Sequence, residues 1–323
     1  MRPRDDDRQL MAKVADLYYL RDLTQQEIAD RLGLSRPTVS RLLQRARAEG
    51  VVRIEVNPPE ESHHDLAREL EERFGLREAV VVTGRSESPT LTRRALGQAG
   101  ARYLDRCLKG REVVGVSWGT TLNEVVHHVR PRPLRTTVVP LVGGAGQVAP
   151  GVHANDLARR LAQAHGAEVH LLHAPAVVAS PEVQGALCSD PGIRRALDLA
   201  RRAQVALVGV GALVPSSTLV QSGYFSVREL AALRERGAVG DVCTRPYTRD
   251  GLPVDEALQR RIVAVEFEDL RRIPTVVAVA GGLEKAEAIL GLLRGDLVDV
   301  LVTDHLAARA VLRSLRAERE VGR

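Results

Sequence analysis

From about residue 66 onward, short apolar runs alternate with amphipathic segments, and this alternation limits the fold more than any other feature. EAVVV, EVVGVSW, TTVVPLV, EVHLLHAPAVV, VALVGV, RIVAVEF, TVVAVA and VDVLVT are nearly continuous in apolar residues instead of alternating apolar with polar. A strand apolar on both sides is covered on both sides, and strands separated by helices pair in parallel. Helical periodicity fills the gaps, over residues 91–107, 122–129, 155–165, 193–201, 227–236, 284–293 and 306–319. The chain is therefore α/β, with a mostly parallel sheet covered on both faces. Aromatic residues are 3% of the 323 residues, so Val, Leu, Ala and Ile must build the core. No apolar run reaches the ~18 residues a membrane span needs, so no membrane partner is expected.

The first fifty residues follow a different pattern. Leu10, Val14, Leu17 and Tyr18 lie at helical spacing. In TQQEIADRLGLSRPTVSRLLQRA, Thr24 and Glu27 form a capping box that opens a second helix. Gly33 ends it in a left-handed turn, and Ser35 caps a third helix with Pro37 in its first turn. Ile28, Leu32, Leu34, Val39 and Leu42 form a small shared core, with Ala29 at the close crossing. The pattern is a helix-turn-helix. On its second helix Val39, Leu42, Leu43 and Ala46 share one face, and Arg36, Ser40, Arg41 and Gln44 lie outside that stripe, flanked by Thr38 and Arg45. From Arg31 to Arg53 there are six arginines and one acid, Glu49, which accounts for the chain's net charge of +5. A basic patch on an otherwise balanced protein suggests a polyanion-binding face. Arg suits guanine and Gln adenine in the major groove, and Ser35, Thr38 and the helix N-terminus suit phosphates. Ser35, Arg36, Thr38, Ser40, Arg41, Gln44 and Arg45 are the candidate DNA contacts. A single such unit reads a half-site, so a homodimer or homotetramer on palindromic double-stranded DNA is expected.

VVRIEV, 51–56, reads as a short strand or wing, and the polar, proline-bearing NPPEESHHD that follows marks a domain boundary. The expected domains are 1–57, binding DNA, and 58–323, binding a small-molecule effector and oligomerising. MRPRDDDRQL lacks the apolar core of a secretory signal, and three widely spaced cysteines argue for a reducing compartment; a cytoplasmic location is expected. No cofactor or metal is expected. GVGAL lacks the third glycine of a dinucleotide fingerprint, and no histidine pairs with Cys, Asp or Glu at metal spacing. Ser117 has no Gly-x-Ser-x-Gly around it.

In the second domain, Ser117-Trp118-Gly119-Thr120-Thr121 leads from a strand into a helix, which supplies amide and hydroxyl donors for an anion. It is not a Walker loop. Gly143-Gly144 ends another strand and permits close backbone approach to a ligand. Gly281-Gly282-Leu283-Glu284-Lys285 opens a further helix, and Lys285 is a candidate phosphate cation; Asp241 is a candidate acceptor for sugar hydroxyls. All four segments are expected at carboxyl ends of parallel strands, where open α/β sheets bind ligands. Together they suggest a phosphorylated sugar.

The whole pattern resembles the SorC/DeoR-type sugar-binding transcriptional regulators. The resemblance rests on TQQEIADRLGLSRPTVSRLLQRARAEGVVRIEV, LEERFGLREAVVV, VVGVSWGTTLNEVV, VVPLVGGAG, HANDLARRLA, ALVGVGAL, GAVGDVCTR, IPTVVAVAGGLEKAEAILGLLRG and VDVLVTD, and covers roughly residues 10–312. It implies a winged-helix-like reader and a Rossmann-like effector domain similar to ribose-5-phosphate isomerase and glucosamine-6-phosphate deaminase, controlled by a sugar or sugar phosphate. It implies that Gly119, Thr120, Thr121 and Lys285 hold the phosphate. It implies too that Gly143, Gly144, His153, Asn155 and Asp241 line the sugar, with Glu266 as a further candidate. Two positions depart from the family pattern. Val142 stands where some relatives carry Lys or Arg, which implies no Schiff base there and speaks against a bisphosphate ligand. Pro246 stands where relatives often carry an aromatic residue. An alternative is a sugar-phosphate isomerase or deaminase with a DNA-binding appendage, using Asp241, Glu266 or His153; no paired acid–base motif supports it. A large domain serving only as an oligomerisation platform would not need glycine-rich strand ends.

Overall fold

The computed structural model describes residues 5–52, 63–85, 87–144 and 152–321. The chain divides into two compact units, Met1–Pro59 and Glu60–Arg323. The expected boundary at residue 57 and most of the expected wing, residues 53–56, lie outside the described residues.

The first unit holds three helices, α1 (Asp5–Tyr19), α2 (Gln25–Leu32) and α3 (Arg36–Ala48). The Thr24 amide donates to Glu27 Oε2 at 2.8 Å and the Glu27 amide donates to Thr24 Oγ1 at 3.3 Å, closing the capping box. Gly33 is left-handed at φ 63°, and the Thr38 amide donates to Ser35 Oγ at 3.3 Å to start α3. Met11, Val14 and Leu17 of α1 meet Ile28, Ala29, Val39, Leu42, Leu43 and Ala46 in one buried cluster. Each fully buried Leu, Ile or Met there contributes about 1.5–3 kcal/mol.

The second unit begins with α4 (His64–Phe74), β1 (Glu78–Val82), α5 (Pro89–Cys107), β2 (Val113–Val116), α6 (Thr120–His128), β3 (Thr137–Pro140), α7 (Ala154–His165) and β4 (Glu168–Val169). It continues with α8 (Pro181–Ser189), α9 (Pro191–Arg201), β5 (Val205–Gly209), β6 (Gly211–Ala212), α10 (Thr218–Gln221), α11 (Val227–Glu235), β7 (Ala238–Val242) and β8 (Arg245–Thr248). The last elements are α12 (Glu256–Gln259), α13 (Phe267–Arg272), β9 (Thr275–Val279), α14 (Ala286–Arg294), β10 (Val300–Asp304) and α15 (His305–Val321). Seven strands pair in parallel in the order β1-β10-β9-β5-β2-β3-β4. Successive residues of a strand point to opposite faces. Val205, Leu207, Val277, Val279, Val300 and Val302 therefore pack with α5, α6 and α7. Ala206, Val208, Val276, Ala278 and Leu301 pack with α4, α14 and α15. This double cover is the physical reason the strands read as continuous apolar runs.

Three segments differ from the sequence-based expectation. RIVAVEF is not a ladder strand. It crosses between loops, with the Val263 amide donating to Ala176 O, the Gly143 amide to Val263 O and the Val265 amide to Leu141 O, each at 2.9 Å. Its burial makes it apolar, and apolarity alone does not separate a strand from a buried crossing segment. EVHLLHAPAVV contributes only Glu168–Val169, at the sheet edge. GAVGDVCTRPYT forms β7 and β8 of a separate antiparallel sheet, ordered β6-β7-β8. Cys243 and Thr244 close that hairpin at φ 50° and 66°. A two-residue turn with both φ positive normally takes Asn-Gly, so no turn signal announced it.

Candidate functional site

A cavity of about 540 Å³ opens at the carboxyl edge of the parallel sheet, where β2, β5, β9 and β10 end. Gly119 turns the chain into α6 at φ 128° with no side-chain cap, and the first helical bond runs from the Asn123 amide to Gly119 O at 2.9 Å. The amides before Asn123 in that first turn thus have no helical acceptor. The turn carries no acid, and Thr120 and Thr121 add hydroxyls beside the amides. Partial positive charge, free donors and absent acids make this end attractive to an anion.

The loop after β9 forms the second wall. Asp304 is fully buried; its Oδ2 accepts the Gly282 amide at 2.5 Å, and its Oδ1 accepts the amides of Leu306 at 2.9 Å and Ala307 at 3.1 Å. A Cβ on Gly281 would lie 2.2 Å from Asp304 Oδ2, so the backbone approach requires glycine. Lys285 ends the turn that follows, half-buried; burial pulls its ammonium below the usual range, against the pull of Glu284 and Asp241. Asp241 faces the cavity from β7, opposite Gly211 of β6, so its placement by the antiparallel sheet corrects the expectation of a parallel strand end. Burial pushes its carboxyl up to about 7, opposed by Lys285 and by a backbone hydrogen bond at Thr244. Such a group both donates and accepts near neutrality, which suits sugar hydroxyls.

Five of the ten sequence-selected effector residues line this cavity: Gly119, Thr120, Thr121, Asp241 and Lys285. The other five do not. A Cβ on Gly143 would lie 2.5 Å from Pro175 O, and the Gly144 amide donates to Ala174 O at 2.9 Å. Asn155 exchanges two 3.0 Å hydrogen bonds with the backbone of Leu172. His153 stands at the start of α7, its Nδ1 buried without a partner among the described residues. Exposed Glu266 stands at the start of α13, its amide bonded to Asp269 Oδ2 at 2.9 Å. Residues 145–151, between the glycine pair and α7, lie outside the described residues. Val142 is fully buried and bridges Ala264, and buried Pro246 sits opposite Asp241 on β8; neither lines the cavity.

Sequence reasoning missed Arg85, Arg93, Ser217 and Cys243, all of which line the cavity. Arg85 follows β1 at the same carboxyl edge, so the rule that selected Gly119 also selects it. Cys243, its thiol pushed up to about 12 by burial, and Ser217, whose buried Oγ has no partner among the described residues, are placed by tertiary packing alone. Trp118, 8% exposed, lines the same cavity and meets the Tyr224 ring edge-on at 5.9 Å. Among the described residues no group of three His, Cys, Asp or Glu side chains is placed to hold a metal, and no helix is long and apolar enough to cross a membrane.

On α3, Arg36, Arg41 and Gln44 are exposed, opposite the buried Val39-Leu42-Leu43-Ala46 stripe. Ser35 Oγ lies 2.8 Å from Thr38 Oγ1, and Arg41 Nη2 reaches Thr38 Oγ1 at 3.4 Å. Ser40 is half-buried. Arg45 donates to Glu49 Oε1 at 3.0 Å and lies 3.8 Å from Asp7 Oδ2. Arg45, itself exposed, is thus engaged within its own unit, and Arg36 and Gln44 make no such ion pair among the described residues.

Residues 59–313 match the family model described as "Putative sugar-binding domain", and residues 9–59 match a Crp-like helix-turn-helix domain. The chain is 35% identical to the deoxyribonucleoside regulator of Bacillus subtilis over 95% of its own length and 98% of the relative's. It is 33% identical to the sorbitol operon regulator of Klebsiella pneumoniae, over 95% and 99% of the two chains. The crystal structure of the full-length sorbitol operon regulator SorC from that organism superposes with a TM-score of 0.73 at 32% identity, covering 95% of this chain and 99% of that one. These relatives are named as regulators, not as enzymes. The chain belongs to the SorC family of sugar-binding transcriptional regulators.

Proposed function

We propose that this regulator reads operator DNA with α3 and releases or tightens its grip when a phosphorylated sugar fills the cavity. The observation that carries the reading is the convergence of the uncapped, acid-free N-terminus of α6, Lys285 and Asp241 on one cavity. The phosphate is held by Gly119, Thr120, Thr121 and Lys285, and the sugar by Asp241; Gly143, Gly144, His153 and Asn155, expected on the sugar side, stand outside this cavity's lining. The same arrangement suits the proposed likeness to ribose-5-phosphate isomerase and glucosamine-6-phosphate deaminase, with binding retained and turnover absent. Arg36, Arg41 and Gln44 read base edges; Ser35, Thr38 and Ser40 meet phosphates. Arg45 contributes charge once freed from Glu49. Two or four copies on palindromic DNA, in the cytoplasm, complete the picture. Effector controls affinity by binding one arrangement of the oligomer better than another.

Thermal unfolding against a panel of sugars, each with and without its phosphate, tests the reading. A ligand that binds only the folded state raises the midpoint by mass action. A shift with a phosphorylated sugar alone supports the anion site. A shift with the unphosphorylated partner alone refutes the assignment of the phosphate to Thr120, Thr121 and Lys285.

A further inference from the structure

We infer that the cavity contains a second anion subsite, formed by Arg85 and Arg93, so that the effector carries a second acidic group besides the phosphate at α6. The inference rests on the proposal that this cavity takes the effector.

Both arginines line the cavity, Arg85 just after β1 and Arg93 in the second turn of α5. The backbone at Arg85 is pinned, and its side chain is exposed. The Arg85 amide donates to Thr92 Oγ1 at 2.8 Å, and that hydroxyl donates to Arg85 O at 3.1 Å. Among the described residues neither guanidinium has a hydrogen bond or an ion pair, whereas Arg77, Arg106 and Arg294 each meet a carboxylate. The acids that line the cavity are otherwise engaged. Asp304 accepts three backbone amides. Glu284 acts on its neighbour Lys285, and Asp241 faces Lys285 from β7. Arg93 adds to the positive field at Lys285, pulling that ammonium down.

Arg93 stands in the second turn of α5, and exposed Arg85 lies just ahead of that helix. Strand order sets the span. β1, β10, β9, β5 and β2 follow one another along the edge, so Arg85 stands at one end and Thr120-Thr121 at the other. At about 4.8 Å per strand the two strand ends lie about 19 Å apart, with Lys285 and Arg93 between them. An anion held at α6 leaves Arg85 unneutralised; an acidic group at the far end of a six-carbon chain, met by an extended arginine, neutralises it. Arg suits both phosphate and carboxylate through its bidentate fork. The expectation drawn from Val142 thus concerns only the β3 side of the site, and the second anion is met on the β1 side.

Matched pairs test this: fructose 6-phosphate against fructose 1,6-bisphosphate, and glucose 6-phosphate against 6-phosphogluconate. Binding is read from the fluorescence of Trp118, the chain's single tryptophan, which lines the cavity. The doubly acidic member of at least one pair should bind on the order of tenfold to a hundredfold tighter, as expected for one added charge-assisted hydrogen bond. The pair that shows it says whether the second group is phosphate or carboxylate. Arg85→Gln should erase that preference while leaving the monophosphate's affinity unchanged. Arg94→Gln, exposed on the same helix outside the cavity, should keep it. Equal affinity within both pairs overturns the second subsite and leaves the sugar-phosphate reading standing. A preference that survives Arg85→Gln combined with Arg93→Gln overturns it as well. Failure of all four ligands to bind overturns a six-carbon effector in this cavity, and the second subsite with it.

Discussion

Replacing Asp241 by Asn should stabilise the effector unit and cost it its ligand. Asp241 is 6% exposed, and its carboxyl is pushed by burial from 3.8 to about 7. Between those values the folded chain keeps a proton that the unfolded chain has released. Stability therefore falls as pH rises through that window and levels off above about 7. At about 1.4 kcal/mol per unit the whole loss is about 4 kcal/mol. The carboxamide has nearly the same shape and no charge to desolvate, so it escapes the loss. Lys285 loses the upward pull of the Asp241 carboxylate in the variant, an effect that works against the gain. Urea denaturation at pH 5 and pH 8, followed by Trp118, reads the effector unit alone. The advantage of Asp241→Asn should grow by about 3 kcal/mol between the two pH values, because about two units of the window lie between them. Parallel stability profiles for the two proteins, or a variant weaker at pH 8, would refute burial as the cause of the shift. Sugar-phosphate binding should fall in the variant at both pH values. Stability gained where binding is lost is a common exchange at ligand sites.

Two further outcomes follow from the same geometry. Arg41→Ala should lower operator affinity by about 1–3 kcal/mol and relax preference at one base pair, measured by titrating operator against single-base variants. An equal loss on all DNA with a shallower salt dependence would reassign Arg41 to a phosphate. Gly281→Ala places a methyl 2.2 Å from Asp304 Oδ2 and 2.8 Å from Leu96 Cδ1. It should cost about 1–3 kcal/mol of stability by overpacking and remove the thermal shift with sugar phosphate; an unchanged shift would show that this loop does not hold the ligand.

The helix-turn-helix was legible in the sequence because it is held by local signals. The Thr24-Glu27 box, left-handed Gly33 and the Ser35 cap each act within a few residues of their own position. The apolar stripe of α3 follows from a 3.6-residue period. The parallel sheet was legible for a similar reason, since double cover forces continuous apolar runs. Where burial came without a ladder, as in RIVAVEF, the same reasoning gave a strand that the fold does not contain. Half of the candidate site was visible because glycines and hydroxyls at strand ends carry their own chemical signature. Gly143 and Asn155 carry the same signature, yet their contacts in the fold are with Pro175 and Leu172.

The amino-acid sequence by itself determined the helix-turn-helix, the sheet type and the strand ends that carry the candidate residues. Each of these follows from periodicity, capping or strand-end chemistry within a short window. Only the tertiary structure decided which strand ends share a cavity. The order β1-β10-β9-β5-β2 brings Arg85, Lys285 and Thr120 together from positions far apart in the chain. The β6-β7-β8 sheet then turns Asp241 toward them. The charge state of that carboxyl was likewise a tertiary outcome, because desolvation belongs to the surroundings a residue is folded into and not to its neighbours in sequence.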